Sequence, residues 1–251
     1  MKVKLISFTQ DAFELLLGTK TTRMRGKDPS EMTPEEQQQH WRYMLDTIRS
    51  PFEFVDFIFE ISGVSKNFTH QLVRTRTGAY QQETSRALEC SASSAIMPVN
   101  FSGEAEQRWH DAMADIDAYY GELIGLGAEL QDARAIMPSN MSTAIKAKFN
   151  LRTLSDMAKV RLCTRTQGEY QHVFREMRRL VLEQYPMFES LLQPACVATG
   201  QCAFPRHGKD YCPFWRDWMD LESEKSKLAN DFWSVELYTN NPVASGGTSK
   251  G

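Results

Sequence analysis

The sequence has no large charge excess and no long apolar run, and each absence excludes a class of protein. Its 251 residues carry a formal net charge of −3, whereas nonspecific nucleic-acid binders usually show a basic surplus. No stretch approaches the ~18–20 apolar residues that a membrane-spanning helix requires. We therefore expect neither nucleic acid nor membrane as a partner, and any anion site must be local.

The sequence also lacks the common catalytic signatures. It contains no glycine-rich phosphate loop, no nucleophile elbow and no HExxH motif. Its five histidines are scattered, and neither Cys90 nor Cys163 has a histidine close by in the sequence, so we interpret both as inert buried thiols. If the protein is an enzyme, its demanding chemistry is expected to reside on a cofactor.

The first 20 residues do not read as an export signal. Gln10, Asp11 and Glu14 interrupt the apolar stretch, and no small-residue cleavage site follows. We interpret this segment as a strand followed by a helix. Because the five cysteines are an odd number and no export signal precedes them, we expect reduced thiols and a cytoplasmic location.

The hydrophobic pattern predicts an α+β fold with a helix-rich second half. We expect one domain over residues 1–194 and a Cys/Pro/Gly-rich extension over residues 195–251, whose last ten residues are unstructured. Thr33, Pro34 and Glu36 predict a capping box at a helix start. Strands are predicted at residues 3–8 and 52–61, and helices at residues 33–48, 66–73, 103–136 with a break at Gly125 and Gly127, 150–162 and 167–184.

Three arginines lie within 13 residues of one another, at Arg74, Arg76 and Arg86, among small residues that form hydrogen bonds. A guanidinium group is planar, permanently charged and able to bind two phosphate oxygens at once. The cluster therefore indicates either an anion site or a set of solvated surface arginines.

The predicted helix at residues 150–162 carries polar residues on an otherwise apolar stripe. Asn150 and Arg161 share that stripe with Leu154 and Met157, and buried polar groups are costly without partners. This arrangement favours a ligand-lined cleft. On a neighbouring face, the spacing of Arg152 and Asp156 suits an ordinary ion pair within the helix.

The extension contains residue types that bind zinc. Cys196, Cys202, His207 and Cys212 supply suitable ligands for a structural zinc, although the spacing is not the CxxC form. The alternative is a set of free thiols in a loop-rich segment.

Four motifs in order resemble those of flavin-dependent thymidylate synthases over about residues 50–170. The first is SPFEF, similar to the family's Thr-Pro-Phe-Glu-His. The second is similar to the family's Arg-His-Arg signature with its following Ser and Arg, and the third to its "ARxxLP" segment. The fourth is similar to its Asn-x-Arg helix ending in Ala-Gln-x-Glu. The matching residues are Ser50–Phe54, Gln71, Arg74-Thr75-Arg76, Thr84, Arg86, Arg134, Asn150, Arg152, Arg161, Gln167 and Glu169.

This resemblance implies a homotetramer of mixed α/β subunits with active sites where subunits meet. FAD takes hydride from NADPH, and methylenetetrahydrofolate supplies the one-carbon unit that becomes a methyl group on C5 of dUMP. No cysteine nucleophile is needed. The resemblance implies that Arg161 contacts the pyrimidine and the flavin, as the catalytic residue. It assigns nucleotide binding to Gln71, Gln82, Thr84, Arg86 and Arg134, and FAD binding to Ser50, Glu53, Arg74, Thr75, Arg76, Asn150, Arg152 and Asp156.

The sequence departs from the family pattern where Thr75 replaces a His and Asp156 replaces an Asn; Phe54, Ala79 and Gln81 also differ. An ionised carboxylate only accepts hydrogen bonds, and cytosine, unlike uracil, presents an amino donor. Asp156 therefore leaves open a dCMP methylase or hydroxymethylase that makes modified DNA precursors. Loss of the His leaves open a non-catalytic, nucleotide-binding oligomeric relative.

Overall fold

The computed structural model describes residues 1–84, 86, 90–205, 209, 212–216 and 223–234. Within these residues four strands form one sheet in the order β1-β2-β4-β3. The strands are Lys2–Phe8 (β1), Asp56–Ser65 (β2), Ala79–Gln82 (β3) and Ser142–Asn150 (β4). The helices are Ala12–Met24 (α1), Pro34–Asp46 (α2), Lys66–Leu72 (α3), Glu104–Gly125 (α4), Leu130–Ala133 (α5), Leu151–Arg161 (α6), Gly168–Gln184 (α7), Ala195–Thr199 (α8) and Ser223–Ser234 (α9).

This combination of helices and sheet confirms the predicted α+β fold class. Among the described helices, none is both long enough and apolar enough to cross a membrane. Contacts divide the chain into two compact units. The first unit comprises residues 1–3, 60–76 and 80–147, and the second comprises residues 4–59, 77–79 and 148–251. Each of the four strands therefore contributes residues to both units.

The first unit packs the apolar sides of α3, α4 and the strands. Its buried side chains include Phe68 and Leu72 of α3, Met113 of α4 and Ile145 of β4. Hydrogen bonds to Asp117 of α4 hold the 3-10 turn Ala92–Ser94 in place. Its carboxylate accepts hydrogen bonds from the Ser91 hydroxyl at 2.9 Å and the Ser93 backbone N–H at 2.9 Å, and from the Ala92 backbone N–H at 2.5 Å.

The second unit is organised around packed aromatic rings. The ring of Trp41 on α2 lies 5.9 Å from that of Phe52 and 5.8 Å from that of Phe188. Phe57 of β2 and Tyr185 complete the cluster, with the Tyr185 ring 5.2 Å from the Phe188 ring. Such edge-on and tilted contacts add to the energy of burying apolar area, and they anchor the turn Ser50–Phe54, which carries two predicted site residues.

Locally encoded features match the prediction. Thr33 Oγ1 accepts from the Glu36 N–H at 3.3 Å, and Glu36 Oε2 accepts from the Thr33 N–H at 2.9 Å, so the predicted capping box forms. The first strand and α1, α3, α6 and α7 lie where they were predicted. The break after α4 is also confirmed, because α4 ends at Gly125 and Gly127 adopts a positive φ of 91°.

Other predicted boundaries are wrong. The strand predicted from Phe52 begins only at Asp56, because Pro51 sits in a 3-10 turn, closed by the Phe52 N–H bonding the Arg49 carbonyl at 3.2 Å. That strand also runs past Gly63 to Ser65, since Gly63 tolerates a φ of 64°. The strands β3 and β4 were not predicted. The alternation in β4 buries Thr143, Ile145, Ala147 and Phe149.

The extension beyond residue 194 contains regular structure that the sequence did not suggest, namely α8 and α9. Val197, Phe214, Leu228 and Phe232 form a small buried cluster there, which we call the extension core. The predicted unstructured tail, residues 242–251, lies outside the described residues. The domain boundary at residue 194 stays a prediction.

Candidate functional site

The residues Arg74–Arg76, here called the arginine turn, directly follow α3 in the first unit. The helix starts with Ser65, whose hydroxyl accepts from the Phe68 N–H at 3.0 Å. The turn is fixed from two sides. The Thr75 N–H bonds the Leu72 carbonyl at 3.0 Å. The Tyr80 hydroxyl donates to the carbonyls of Leu72 at 3.0 Å and Thr75 at 2.6 Å.

Both guanidinium groups of the arginine turn point outward and remain available. Arg74 and Arg76 are exposed, and neither has an ion-pair partner among the residues that the structure describes. Thr75, between them, is half-buried and is held by its backbone. The turn therefore presents two permanent cations on a fixed backbone, which suits an anionic ligand with adjacent phosphate groups.

A second group of predicted residues belongs to the same unit. Gln82 on β3 donates to the hydroxyl oxygens of Thr69 at 3.0 Å and Thr143 at 3.5 Å. Beyond β3, the backbone N–H of Arg86 bonds Thr84 Oγ1 at 3.1 Å, and Arg86 Nε bonds Gln131 Oε1 at 3.3 Å. Thr84 and Arg86 are exposed. These two local contacts fix their geometry, and neither pairs the Arg86 guanidinium with a carboxylate.

Gln71 and Arg134 complete the predicted nucleotide set. Gln71 lies in the last turn of α3, and Arg134 begins the 3-10 turn Arg134–Ile136 after α5. Both side chains are half-buried. Five of the six residues that the resemblance assigns to the nucleotide thus lie in the first unit, and the sixth, Arg161, lies in the second.

In the second unit, Asn150 has a different role from the one that its spacing suggested. It is not on the stripe of α6 but caps the helix, with its Oδ1 accepting from the Thr153 N–H at 2.8 Å. The Thr153 hydroxyl in turn donates to the hydroxyl of Thr77 at 3.0 Å. Leu154 and Met157 are buried as expected. This cap therefore stabilises the start of α6.

Ion pairs surround the exposed face of α6. Arg152 pairs with Glu53, and Asp156 Oδ1 accepts from Arg49 Nη1 at 2.7 Å and from Lys159 Nζ at 3.3 Å. The pairing of Arg152 with Asp156 that their spacing suggested is therefore wrong. The reason is that two residues of the segment before β2 pair with them instead, Arg49 with Asp156 and Glu53 with Arg152. Arg49 also donates to Ser155 Oγ at 2.6 Å.

Ser50 lies in that same segment, at the edge of a cavity of about 230 Å³. Lys20, Arg23 and Tyr43 also line the cavity, and the Lys20 ammonium lies 4.4 Å from the Tyr43 ring centroid. Phe54, where the family pattern has His, is exposed and belongs to the lining as well. The cavity therefore combines two cations with aromatic surface.

Arg161 is the last residue of α6, and an aromatic ring positions it. Its guanidinium carbon lies 4.4 Å from the centroid of Tyr170 on α7, a cation–π contact. Arg161 is half-buried, and Tyr170 is fully buried. The contact fixes the direction of the side chain and leaves its outer N–H groups free to donate.

Four cysteines line one cavity in the second unit, which we call the thiol pocket. Three are the predicted zinc ligands Cys196, Cys202 and Cys212, and the fourth is Cys163. The fourth predicted ligand, His207, lies outside the described residues. Burial raises the pKa of Cys163, and it raises the pKa of Cys196 to about 12, with the neighbouring Cys163 and Cys212 adding to the effect. All five cysteines are free thiols.

Sequence reasoning missed Arg49, Thr77, Tyr170 and the place of Cys163. Arg49 and Thr77 contact residues 107 and 76 positions away, and no spacing in the sequence indicates such contacts. Tyr170 directly follows Glu169 of the fourth motif, and this position is a signal that could have suggested an aromatic contact with Arg161.

Comparison of the chain with protein families and curated proteins gives a uniform result. Residues 4–187 match the family described as Thymidylate synthase complementing protein. The flavin-dependent thymidylate synthase of Pyrococcus furiosus is 32% identical over 163 residues, covering 61% of this chain and 67% of that protein. The flavin-dependent thymidylate synthase of Clostridium tetani is 27% identical over 225 residues, covering 80% and 90%.

Solved structures show the same fold at lower identity. The UMP/dUMP methylase PolB of Streptomyces cacaoi, bound with 5-Br dUMP, superposes with a TM-score of 0.63 at 17% identity, covering 76% of this chain and 93% of that one. The flavin-dependent thymidylate synthase ThyX of Helicobacter pylori, complexed with FAD and dUMP, gives a TM-score of 0.60 at 18% identity, covering 77% and 100%.

Proposed function

The chain belongs to the family described as Thymidylate synthase complementing protein, and on that premise we propose that it methylates dUMP to dTMP. Methylenetetrahydrofolate donates the one-carbon unit, NADPH is the reductant and FAD is the bound cofactor. The matched relatives named flavin-dependent thymidylate synthase support the reaction. The observation that carries the proposal on this chain is the arginine turn, because its two guanidinium groups have no partner ion among the described residues.

The described residues fit FAD. A dinucleotide carries a negatively charged pyrophosphate, and Arg74 and Arg76 offer two positively charged donor forks on a fixed backbone. Thr75 replaces the family's His and supplies a hydroxyl where the flat ring is missing, so the arginines and the backbone hold this part of FAD. Ser50 and Glu53 contribute from the turn Ser50–Phe54, and Asn150, Arg152 and Asp156 from the start of α6. When bound, FAD supplies the hydride chemistry that none of these side chains can perform.

The nucleotide phosphate is proposed to bind Thr84, Arg86 and Arg134. Arg86 is already oriented by Gln131, so part of the entropy of ordering its side chain is lost before the ligand arrives. Gln71 and Gln82 lie on α3 and β3, where an amide can both donate and accept. The side-chain NH₂ group of Gln82 donates to two hydroxyl groups. Its side-chain carbonyl oxygen is the atom proposed to face the nucleotide.

Arg161 is proposed to act on the pyrimidine. Because Tyr170 holds its guanidinium from one side, its N–H groups donate to a carbonyl oxygen of uracil and stabilise negative charge that develops on the ring as C5 reacts. This role requires a permanent cation, and lysine would lack the planar fork.

The choice of dUMP over dCMP rests on the matched relatives, which are named thymidylate synthases. The argument for cytosine requires the Asp156 carboxylate to accept from the amino group of the base. In the structure Oδ1 of that carboxylate accepts from Arg49 and Lys159, so the residue that replaces the family's Asn has partners inside the protein. We therefore propose dUMP as the substrate.

The proposed assembly is the homotetramer of the family, in which neighbouring subunits complete each active site. Light scattering on the purified protein tests this. A mass near four times 28.8 kDa is expected, and a monomer at all concentrations would overturn the assembly.

The deciding experiment is tritium release from [5-³H]dUMP and [5-³H]dCMP, side by side, with FAD, NADPH and methylenetetrahydrofolate. We expect release from dUMP alone and a yellow protein with the absorbance of bound FAD. Release from dCMP alone would show that dCMP is the substrate. A colourless protein that neither binds added FAD nor releases tritium would identify a non-catalytic relative.

A further inference from the structure

The thiol pocket gathers four cysteines from distant parts of the chain. Cys163 follows α6, Cys196 lies in α8, and Cys202 and Cys212 come from the segment after α8. The fifth cysteine, Cys90, belongs to the other unit. A chance arrangement seldom places four of a protein's five thiols around one cavity. Three of the four lie beyond residue 187, where the match to the family ends.

Two of these sulfur atoms accept hydrogen bonds. The backbone N–H of Phe204 bonds Cys202 Sγ at 3.3 Å, and the Thr164 hydroxyl bonds Cys212 Sγ at 3.5 Å. A neutral thiol is a weak acceptor, whereas donors aimed at sulfur stabilise a thiolate and tune metal centres that thiolates bind. Both sulfur atoms therefore already have a donor of the kind that surrounds metal-bound thiolates.

The charge of the pocket points the same way. Its lining contains Lys159, Arg165 and Arg216 and no Asp or Glu among the described residues. Lys159 and Arg216 each also contact a carboxylate, Asp156 at 3.3 Å and Asp231 at 3.5 Å. Four thiolates around a divalent metal or an iron–sulfur cluster leave a net negative charge, which these cations offset. A bare cation without thiolates would be repelled.

The cysteines surround a space and do not meet at a point. Among the described His, Cys, Asp and Glu residues, no three stand close enough together to hold a single ion without movement. Part of the wall is apolar, from Phe214, Leu228 and Phe232 of the extension core. Four cysteine thiolates are the ligand set of a multinuclear iron–sulfur cluster, whereas one Zn²⁺ requires the four sulfurs to move inward to about 2.3 Å from the metal.

We propose that Cys163, Cys196, Cys202 and Cys212 bind a metal centre through four thiolates. Because the cysteines do not gather around one point, an iron–sulfur cluster is favoured, and a single Zn²⁺ is the other occupant of the same chemistry. None of the four cysteines is among the proposed flavin and nucleotide residues. The metal centre joins the extension to the end of α6, two residues beyond Arg161, and thereby stabilises a segment whose core, among its described residues, has four buried side chains.

The test is the metal content of the full chain purified with and without exclusion of air. Iron, zinc and acid-labile sulfide are measured together with the visible spectrum. We expect either about four iron and four sulfide per chain with broad absorbance beyond that of flavin, or about one zinc with none. The variants Cys163→Ser, Cys196→Ser, Cys202→Ser and Cys212→Ser should each lose most of the metal, and the matched control Cys90→Ser should keep it.

If a Ser variant fails to fold, alkylation of the wild-type protein gives an independent readout. The four pocket thiols should resist iodoacetamide until chelator or acid removes the metal, while the reactivity of Cys90 should not change on metal removal. The proposal is overturned if the full chain carries only traces of metal in both preparations. It is also overturned if the metal persists in all four variants, or if the pocket cysteines are recovered as disulfides.

Discussion

The exposed face of α6 and the arginine turn both carry arginines, and the two differ in what those arginines contact. On α6, Arg152 pairs with Glu53, and Arg49 reaches Asp156 from the preceding turn. On the arginine turn, Arg74 and Arg76 have no ion pair within the described ranges. The arginines around α6 are thus paired within the protein. The two arginines of the arginine turn are unpaired, and they lie on a backbone held by hydrogen bonds from the Tyr80 hydroxyl.

The difference separates arginines that are paired within the protein from arginines that are left for a ligand. An exposed ion pair contributes little stability, because water screens it and side-chain entropy opposes it. An unpaired cation on a fixed turn contributes nothing to the free protein, so its value lies in a partner that arrives later. Mutations at the turn should accordingly lower ligand affinity and leave stability unchanged, whereas mutations on α6 break ion pairs and should also change stability slightly.

The largest effect is expected from Arg74→Ala and Arg76→Ala. Each removes charge-assisted hydrogen bonds worth about 1.5–3 kcal/mol, so the affinity for FAD should fall at least ~10-fold per arginine. The free energy of unfolding should change by less than ~0.5 kcal/mol. Fluorescence titration with FAD and urea denaturation measure the two quantities.

The matched control for these variants is Arg108→Ala, which removes an exposed arginine of α4 in the same unit. It should leave both quantities unchanged. If Arg74→Ala and Arg76→Ala instead lower stability and leave FAD affinity intact, the arginine turn is part of the scaffold and the contrast with α6 disappears.

An intermediate effect is expected at Asp117, whose carboxylate accepts hydrogen bonds from residues of the first unit. Burial alone would raise the pKa of this carboxyl, but hydrogen bonds from Ser93, Ala92 and Ser91 together lower it. Asp117→Asn should therefore lower the free energy of unfolding by about 2 kcal/mol at neutral pH. FAD affinity should not change.

The pH dependence of Asp117 follows from the sign of its shift. A carboxyl whose pKa is lower in the folded state contributes its full stability above the unfolded value of about 3.9, and loses it as the pH falls through the folded value. The stability gap between wild type and Asp117→Asn should thus close below about pH 4. A gap that stays constant down to acid pH would show that the ionised form is not the one stabilised.

The smallest effect is expected from the ion pair of Glu53 and Arg152. A double-mutant cycle with Glu53→Gln and Arg152→Gln should give a coupling energy of about 0.2–1 kcal/mol by denaturation. The coupling should weaken in high salt. A coupling above ~2 kcal/mol would mean that this region is not an ordinary solvated pair, and that its comparison with the arginine turn must be drawn differently.

The parts of the fold that sequence could predict are those with local causes. The capping box of Thr33 and Glu36 depends on four consecutive residues, and the break at Gly125 and Gly127 depends on backbone freedom. The strand β4 also carries a period-two pattern, but two of its buried positions, Thr143 and Ala147, are polar or small and weaken that signal. The turn at Pro51 shifted a strand start by four residues, since proline fits the first turn of a helix as well as the edge of a strand.

The parts of the site that sequence could not predict depend on distant contacts. Motif order gave the arginine turn, Arg86 and Arg161 as candidates, and the resemblance gave them roles. It could not show that Arg49 pairs with Asp156 across 107 positions. Nor could it join Cys163 to cysteines 33 to 49 residues later, because only the folded chain brings α6 and α8 to one cavity.

The extension core has a consequence for the helix that positions Arg161. Its four buried residues, Val197, Phe214, Leu228 and Phe232, all lie after the segment that matches the family. The core nevertheless packs on the matched segment, because the guanidinium carbon of Arg175 on α7 lies 5.6 Å from the Phe232 ring and that of Arg178 lies 4.0 Å from the Trp233 ring. A substitution at Phe232 should therefore be felt first by α7, the helix whose Tyr170 positions Arg161.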